Sequence, residues 1–242
     1  MSRIVVVTGG SKGIGRAIVQ RFAALGDDVV ALGRDRRALD ELEVRTAVCD
    51  VTDEDAVTET FKQLETVDVL VNNAGIAESA PLTRTTLASW GRHFDVNVTG
   101  PFLCMRALVP GMRERRDGAI VIVASTAGRI GRPYTSAYTA SKHAAVGLMR
   151  AVASELAGSG VRVNAVCPTY VQTELAERAI ARIVETTGRS EADTRAVLAG
   201  MSPLGRLLNP DEVAEAVVFL ASDAAGAISG QTLVIDGGGI QA

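Results

Sequence analysis

The sequence predicts a single α/β domain, a doubly wound, seven-stranded parallel sheet with helices on both faces. Three observations carry this. Short β-branched runs alternate with helical stretches along the whole chain, the pattern of a parallel sheet joined by crossovers. The first run, Ile4–Val7, is continuously apolar, as a strand buried on both faces is. No linker, repeat or low-complexity tract interrupts the 242 residues, so residues 1–242 are read as one unit. Right-handed crossovers then give the doubly wound order.

The first strand runs into Thr8-Gly9-Gly10-Ser11-Lys12-Gly13-Ile14-Gly15. A helix follows over Ile14–Leu25 and ends at Gly26. Further strands are expected at Val29–Leu32, Thr46–Cys49, Val69–Asn72, Ala119–Ala124, Val161–Val166 and Thr232–Ile235. Helices are expected at Arg37–Leu42, Glu54–Leu64, Leu87–Arg115, Ala137–Ala157 and Asp211–Ala221. Gly158 to Gly160 close the helix that begins near Ala137. Asn209 reads as the N-cap of the last helix, with Pro210 at its first position and Glu212 at its third. Between them, about 174–208, lies an excursion of two amphipathic helices, Glu174–Glu185 and Glu191–Leu198. It adds no strand and follows a strand's carboxyl end, where a substrate lid belongs; the alternative is a packing or oligomer excursion.

Bulk properties narrow the function. Apolar residues make up 47% and charged residues 22%, ordinary for a globular chain. A net charge of −3 offers no basic footprint for nucleic acid. No run approaches the ~20 apolar residues that span a bilayer, and the early first strand leaves no room for a signal peptide. Cys49, Cys104 and Cys167 lie in apolar surroundings and read as reduced core residues of a cytoplasmic protein. His93 and His143 are far apart, so no metal site is expected.

Chemistry enters through two motifs. Strand, glycine-rich turn and helix is the context that binds a dinucleotide pyrophosphate. Gly9 allows the turn, Gly13 and Gly15 allow close backbone approach, and the helix N-terminus offers N–H groups and partial positive charge. The spacing is G-x-x-x-G-x-G; a plain tight turn is the alternative. The second motif is Tyr138-Thr139-Ala140-Ser141-Lys142. Residues four apart share a helical face, so a phenol and an ammonium stand together. The ammonium is expected to lower the tyrosine pKa from about 10, making Tyr138 a general acid–base group. Ser125 ends a strand thirteen residues earlier, at the same sheet edge, where its hydroxyl can bond a carbonyl oxygen. Tyr134 has no lysine four residues on and reads as a pocket-lining residue.

With both motifs in place the chain resembles the short-chain dehydrogenase/reductase family over nearly its whole length, and within it 3-oxoacyl-thioester and polyketide ketoreductases. The matching segments are Thr8 to Gly15, Asp50-Val51, Asn72-Asn73-Ala74-Gly75, Asn97, Ser125, Tyr138 with Lys142, and Pro168 through Thr173. The resemblance implies a Rossmann domain and hydride transfer between a nicotinamide cofactor and a ketone or secondary alcohol. It implies Asn97, Ser125, Tyr138 and Lys142 as catalytic. Asn97 would kink a helix and hold a relay water to Lys142, and Lys142 would also bond the nicotinamide ribose. Cofactor contacts fall on Gly9, Ser11, Lys12, Gly13, Ile14, Gly15, Arg34, Asp50, Val51, Asn73, Ala74, Gly75, Tyr138, Lys142, Pro168, Val171 and Thr173. Asp50 would meet the adenine amino group, Val51 its ring, and Thr173 the carboxamide. Asn72 and Asn73 would brace the sheet. One departure is Thr169, where the family usually has glycine after the proline, and it bears on substrate shape.

The ribose-reading position after the second strand holds Gly33-Arg34 rather than an acid, and Lys12 lies in the glycine turn, which favours NADP over NAD. Asp35, one or two positions late, keeps NAD open, and Arg34 is otherwise a solvated loop charge. The expected substrate is a 3-oxoacyl thioester. The alternatives are an NAD-dependent dehydrogenase of a 3-hydroxyacyl-CoA, hydroxy acid or cyclic alcohol, and a cofactor-binding regulator without turnover. Arg129, Arg132 or lid arginines are candidates for a carrier phosphate. A homotetramer is expected, pairing the long helices through Ala140, Ala144, Ala145, Gly147, Ala151 and Ala153, with 236–242 in a second interface.

Overall fold

The computed structural model describes residues 2–64 and 66–241. Seven strands are β1 Ile4–Thr8, β2 Asp28–Gly33, β3 Arg45–Val48, β4 Val69–Asn72, β5 Gly118–Val123, β6 Val161–Pro168 and β7 Thr232–Ile235. They form one sheet in the order β3-β2-β1-β4-β5-β6-β7, with every pair parallel. All seven expected strands are present, with ends displaced by one or two residues. The helices are α1 Gly13–Ala24, α2 Arg36–Asp40, α3 Glu54–Lys62, α4 Leu87–Phe94, α5 Gly100–Arg115, α6 Ser136–Glu155, α7 Glu174–Thr187, α8 Glu191–Ala199 and α9 Pro210–Ala221. The chain reverses its direction across the sheet between β3 and β4. The carboxyl ends of β1 and β4 therefore flank a crevice at the switch point.

Strand alternation splits the core into two layers. Val6, Leu70, Ile120 and Val163 face Phe61, Met105 and Met149 of α3, α5 and α6. Val5, Val7, Val69 and Val121 face Ile18, Phe22 and Val217 of α1 and α9. Both strand faces are thus apolar, which is why the strands read as unbroken hydrophobic runs. Among the described residues no helix is long and apolar enough to cross a membrane.

One expected element divides. The helix expected over Leu87–Arg115 is α4 and α5 joined by a π turn at Asp95–Thr99. The Gly100 N–H reaches back to the Asp95 carbonyl. Pro101 follows and has no N–H, so the Asn97 carbonyl loses the donor that a regular helix would give it four residues on. The Asn97 side chain is drawn sideways: Oδ1 accepts from Ile76 N at 2.9 Å, and Nδ2 donates to Ile76 O at 3.0 Å.

The α9 start follows expectation. Asn209 and Glu212 form a reciprocal capping box ahead of Pro210. The 174–208 excursion forms α7 and α8, broken at Gly188, which sits at φ 69 where an L side chain is strained. The tail segment expected at a second interface ends at Ala242, which lies outside the described residues.

At the far side of the sheet the buried Asn164 pins β7 to β6. Its Nδ2 donates to Ile228 O at 2.8 Å and its Oδ1 accepts from Gln231 N at 3.0 Å. Asn164→Ala strands both backbone groups. We expect a loss of about 2–4 kcal/mol, read as a Tm lowered by roughly 4–15 °C in calorimetry; an unaltered Tm would mean that water replaces the amide.

Candidate active site

The glycine turn is built by close backbone approach. Asn73 Nδ2 donates to the Thr8 and Gly9 carbonyls at 3.0 and 3.1 Å. Thr8 Oγ1 in turn accepts from Asn73 N and Ala74 N, both at 3.0 Å. These bonds clamp β4's exit onto β1's exit, so a Cβ on Gly9 would lie 2.9 Å from the Ala74 Cα. A Cβ on Gly15 would run into the Gly9 carbonyl. The bracing falls to Asn73. Asn72, expected to share it, is buried with no hydrogen-bond partner for its Nδ2 among the described residues. Lys12 caps α1 without a side-chain hydrogen bond, so its first-turn amides face no side-chain acceptor there. Such an N-terminus fits a pyrophosphate. Gly13 abuts Thr173, whose Cγ2 would lie 3.1 Å from an added Cβ. The turn therefore meets the segment after Pro168, where Thr173 caps α7 by accepting from Ala176 N.

The adenosine end carries mixed charge. Arg34 pairs with Asp50 at 3.6 Å, and Lys12 with Asp35 at 3.4 Å and Glu174 at 3.9 Å. Asp50 also accepts from Thr52 N and Oγ1 at 3.0 and 2.8 Å. Burial raises its pKa, but the Thr52 bonds and Arg34 outweigh this and hold it below the usual range. Asp35 is kept low by the Ala38 N–H it caps, and then by Lys12. The two cations that favoured a 2′-phosphate thus already have acidic neighbours. Val51 is buried against Gly100.

At the opposite end of the crevice, β5 delivers Ser125 and α6 delivers Tyr138 and Lys142. Ser125 Oγ accepts from Ala127 N at 3.1 Å, capping a short 3-10 turn. Its hydroxyl proton stays available to donate. Lys142 is 5% exposed, and its Nζ donates to the Val123 carbonyl at 2.9 Å. That ammonium lies 5.9 Å from the Tyr138 ring centroid. Gly75 leaves it room, since a Cβ there would be 3.5 Å from Nζ and 3.2 Å from Asn97 Oδ1. Asn97 Nδ2 also donates to Ser141 Oγ at 2.9 Å, tying the π turn to α6. Ser125, Tyr138, Lys142 and Asn97 therefore converge, as the sequence suggested.

The direction of the tyrosine shift is a correction. Burial pushes Tyr138 up to about 12, and the Ser125 hydrogen bond only partly opposes it. Lys142 is expected from the sequence to lower it, but burial dominates, and the same burial brings Lys142 itself down to about 8. In this form Tyr138 is a protonated phenol, the state that donates a proton.

His93 was passed over in the sequence because it has no metal-ligand spacing. It is fully buried, accepts from Glu78 N at 3.0 Å through Nε2 and donates from Nδ1 to Ser89 O at 2.7 Å. Its ring meets Tyr138 edge-on, centroids 6.3 Å apart. A lone histidine gave no sequence signal for this contact. Tyr134 lies at φ 65, 67% exposed.

The family model described as enoyl-(acyl carrier protein) reductase matches residues 9–239. The chain is 42% identical to a cis-4-hydroxycyclohexanecarboxylate dehydrogenase of Sinomonas cyclohexanicum, covering 98% of this chain and 96% of that one. It is 36% identical to a 3-oxoacyl-(acyl carrier protein) reductase of Thermotoga maritima, covering 98% and 97%. A variant of actinorhodin polyketide ketoreductase solved with NADPH superposes at a TM-score of 0.91 and 33% identity, covering 98% and 97%.

The buried ammonium makes a test independent of turnover. Lys142 falls from the ordinary 10.5 to about 8 in the fold. Below pH 8 both states hold the proton and the burial cost is fully present; between those values the unfolded chain holds more protons, so stability rises with pH. Lys142→Met is expected to raise Tm below pH 8, with the gain shrinking toward pH 10. A lower Tm at pH 7 would show that the Val123 bond outweighs the cost of burial.

Proposed function

The chain belongs to the short-chain dehydrogenase/reductase family, oxidoreductases that act on CH–OH groups with a nicotinamide cofactor, and from that premise we propose that it is an NADP-dependent ketoreductase of 3-oxoacyl thioesters. The observation that carries the reading is the convergence of Ser125, Tyr138 and Lys142 beside the glycine turn at one sheet edge. Catalytic roles go to Asn97, Ser125, Tyr138 and Lys142, and cofactor contacts to the glycine turn, Arg34, Asp50, Val51, 73–75, Pro168, Val171 and Thr173.

The glycine turn and the segment after Pro168 would hold a nicotinamide dinucleotide, whose chemistry there would be hydride exchange with the carbonyl carbon. The chain's own residues manage the oxygen. Ser125 donates a hydrogen bond to it, since Ala127 N occupies only an acceptor site of Oγ. Tyr138 Oη gives the proton, and its high pKa keeps that proton in place until negative charge develops on the substrate oxygen. Lys142 then faces a developing phenolate, and its own low pKa lets it pass a proton on. The Asn97 carbonyl, short of its helical donor, is suited to hold the water that resupplies Lys142. The segment 174–208 acts as a lid over the crevice within one domain.

The thioester reading is supported by the Thermotoga and actinorhodin relatives. A cyclic hydroxy acid is the second reading, favoured by the higher identity to the cyclohexane acid dehydrogenase. For the cofactor, Arg34 and Lys12 would leave their acidic neighbours for a 2′-phosphate, and NAD remains the alternative through Asp35. The protein is read as a cytoplasmic homotetramer. Ala140 and Ala144 are half-buried and Gly147 and Ala151 exposed along one outer face of α6, and nothing lies within 4 Å of a Cβ added at Gly147. Ala145 and Ala153, expected in the same contact, belong to the chain's own core.

Tyr138→Phe is expected to lower turnover about 10²–10⁴-fold with cofactor binding retained; an undiminished kcat at saturating cofactor would remove Tyr138 from the reaction. Gly33→Asp with Arg34→Leu is expected to move preference toward NADH, as a Cβ at Gly33 meets Ser11 Oγ and Leu39 only at 3.5 Å. Should the parent protein already prefer NADH tenfold in kcat/KM, the cofactor assignment reverses. Sedimentation should give four chains, and one chain at micromolar concentration would contradict the assembly.

A further inference from the structure

A cavity of about 200 Å³ opens beside the crevice. Glu78, Arg84, Ser89, Arg92, Tyr134 and Arg182 line it, Arg182 coming from α7. Its charge is unbalanced. Glu78 accepts from Ser89 Oγ at 2.7 Å and from Arg92 at 3.1 and 3.3 Å. The Ser89 bond first, and then Arg92, hold Glu78 below the usual carboxylate range. Glu78 and Arg92 therefore neutralise one another. Arg84 and Arg182 make no ion pair or side-chain hydrogen bond among the described residues. Two uncompensated guanidinium groups remain over one recess.

The recess adjoins the candidate chemistry. Ala137 lines it and immediately precedes Tyr138. His93 forms the partition: it holds Glu78 N and Ser89 O on the cavity side and meets the Tyr138 ring edge-on, centroids 6.3 Å apart, on the other. A substrate whose carbonyl oxygen lies between Ser125 and Tyr138 thus has the recess as its neighbour, on the side of Ala137 and Tyr134. A cavity near 150 Å³ admits a benzene ring, so 200 Å³ holds a six-membered ring or short chain with a small charged group.

We propose, building on the ketone-reductase reading above, that this cavity receives an anionic group of the substrate, carboxylate or phosphate, and that Arg84 and Arg182 select for it. Guanidinium groups bind both anions through paired N–H donors. Both arginines are exposed, so each contact is expected to count about tenfold in affinity, the low end for a charged hydrogen bond.

The test compares reduction of cyclohexanone, 4-oxocyclohexanecarboxylate and acetoacetyl-CoA by the parent protein, Arg84→Ala, Arg182→Ala and the double variant. It adds calorimetric titration of the cofactor-free proteins with cyclohexanecarboxylate, which has no carbonyl to reduce, and with inorganic phosphate. The preference of kcat/KM for an anionic ketone over cyclohexanone is expected to fall about tenfold per arginine, through KM rather than kcat, and Arg182→Lys is expected to recover part of it. A loss confined to the carboxylate identifies a small acid; a loss confined to the thioester identifies a carrier phosphate; both support the anion site. Equal losses on neutral and charged ketones, or none, overturn it. If no ketone is reduced with either cofactor, the ketone-reductase reading fails. The titrations then judge the arginines alone: binding of either anion that weakens at least tenfold in the double variant upholds the site, and binding that is absent or indifferent to both arginines rejects it.

Discussion

Lys142 carries an ammonium into the interior, and much of the crevice is arranged around it. A buried charge is tolerated only where polar groups meet it. Here the Val123 carbonyl at the end of β5 does so at 2.9 Å. Space for it comes from Gly75, and Gly128 lets the α6 backbone come close, since a Cβ there would lie 2.8 Å from the Lys142 backbone carbonyl. The neighbouring Ser141 is bonded by Asn97, which is in turn fastened to Ile76. Sheet edge, α6 and π turn thus fix one another's positions, and Tyr138 inherits its place from that arrangement.

Burial that lowers the lysine also raises the tyrosine, to about 8 and about 12. The pair is held as an ammonium beside a neutral phenol. In the proposed reaction, proton transfer from Tyr138 waits for charge to develop on the substrate oxygen, and the nearby cation favours the phenolate left behind. Reduction suits this resting state. Oxidation needs the phenolate first and should gain with rising pH.

The fold was legible because its signals are local. Apolar runs buried on both faces marked β1, β2, β4, β5 and β6, short β-branched runs marked the more exposed edge strands β3 and β7, and Asn209, Pro210 and Glu212 marked the start of α9. The glycine turn and the Tyr138–Lys142 spacing marked both ends of the crevice for the same reason. What stayed hidden depends on contacts between distant segments. The π turn follows from Pro101 acting with Asn97 and Ile76, and periodicity across Leu87–Arg115 cannot register it. The direction of the Tyr138 shift required knowing how deeply the folded chain buries the phenol. The small residues of α6 divide between an outer face and the core, so Ala145 and Ala153 read like Ala140 and Ala144 until the sheet is in place. The cavity gathers Arg84, Arg92 and Arg182 from three separate elements. Glu174 at the start of α7 and Asp50 after β3 likewise reach Lys12 and Arg34 from distant segments.

The claim on which the rest turns is that the crevice above Lys142 joins a nicotinamide C4 to a carbonyl carbon. The most direct measurement is a single-turnover reduction with NADPH and NADH carrying deuterium at both C4 positions, with 4-oxocyclohexanecarboxylate and acetoacetyl-CoA as acceptors. The alcohol is then examined by NMR. One deuterium on the carbinol carbon is the expected result. A carbinol hydrogen drawn from solvent, or no alcohol from either acceptor with either cofactor, would contradict it.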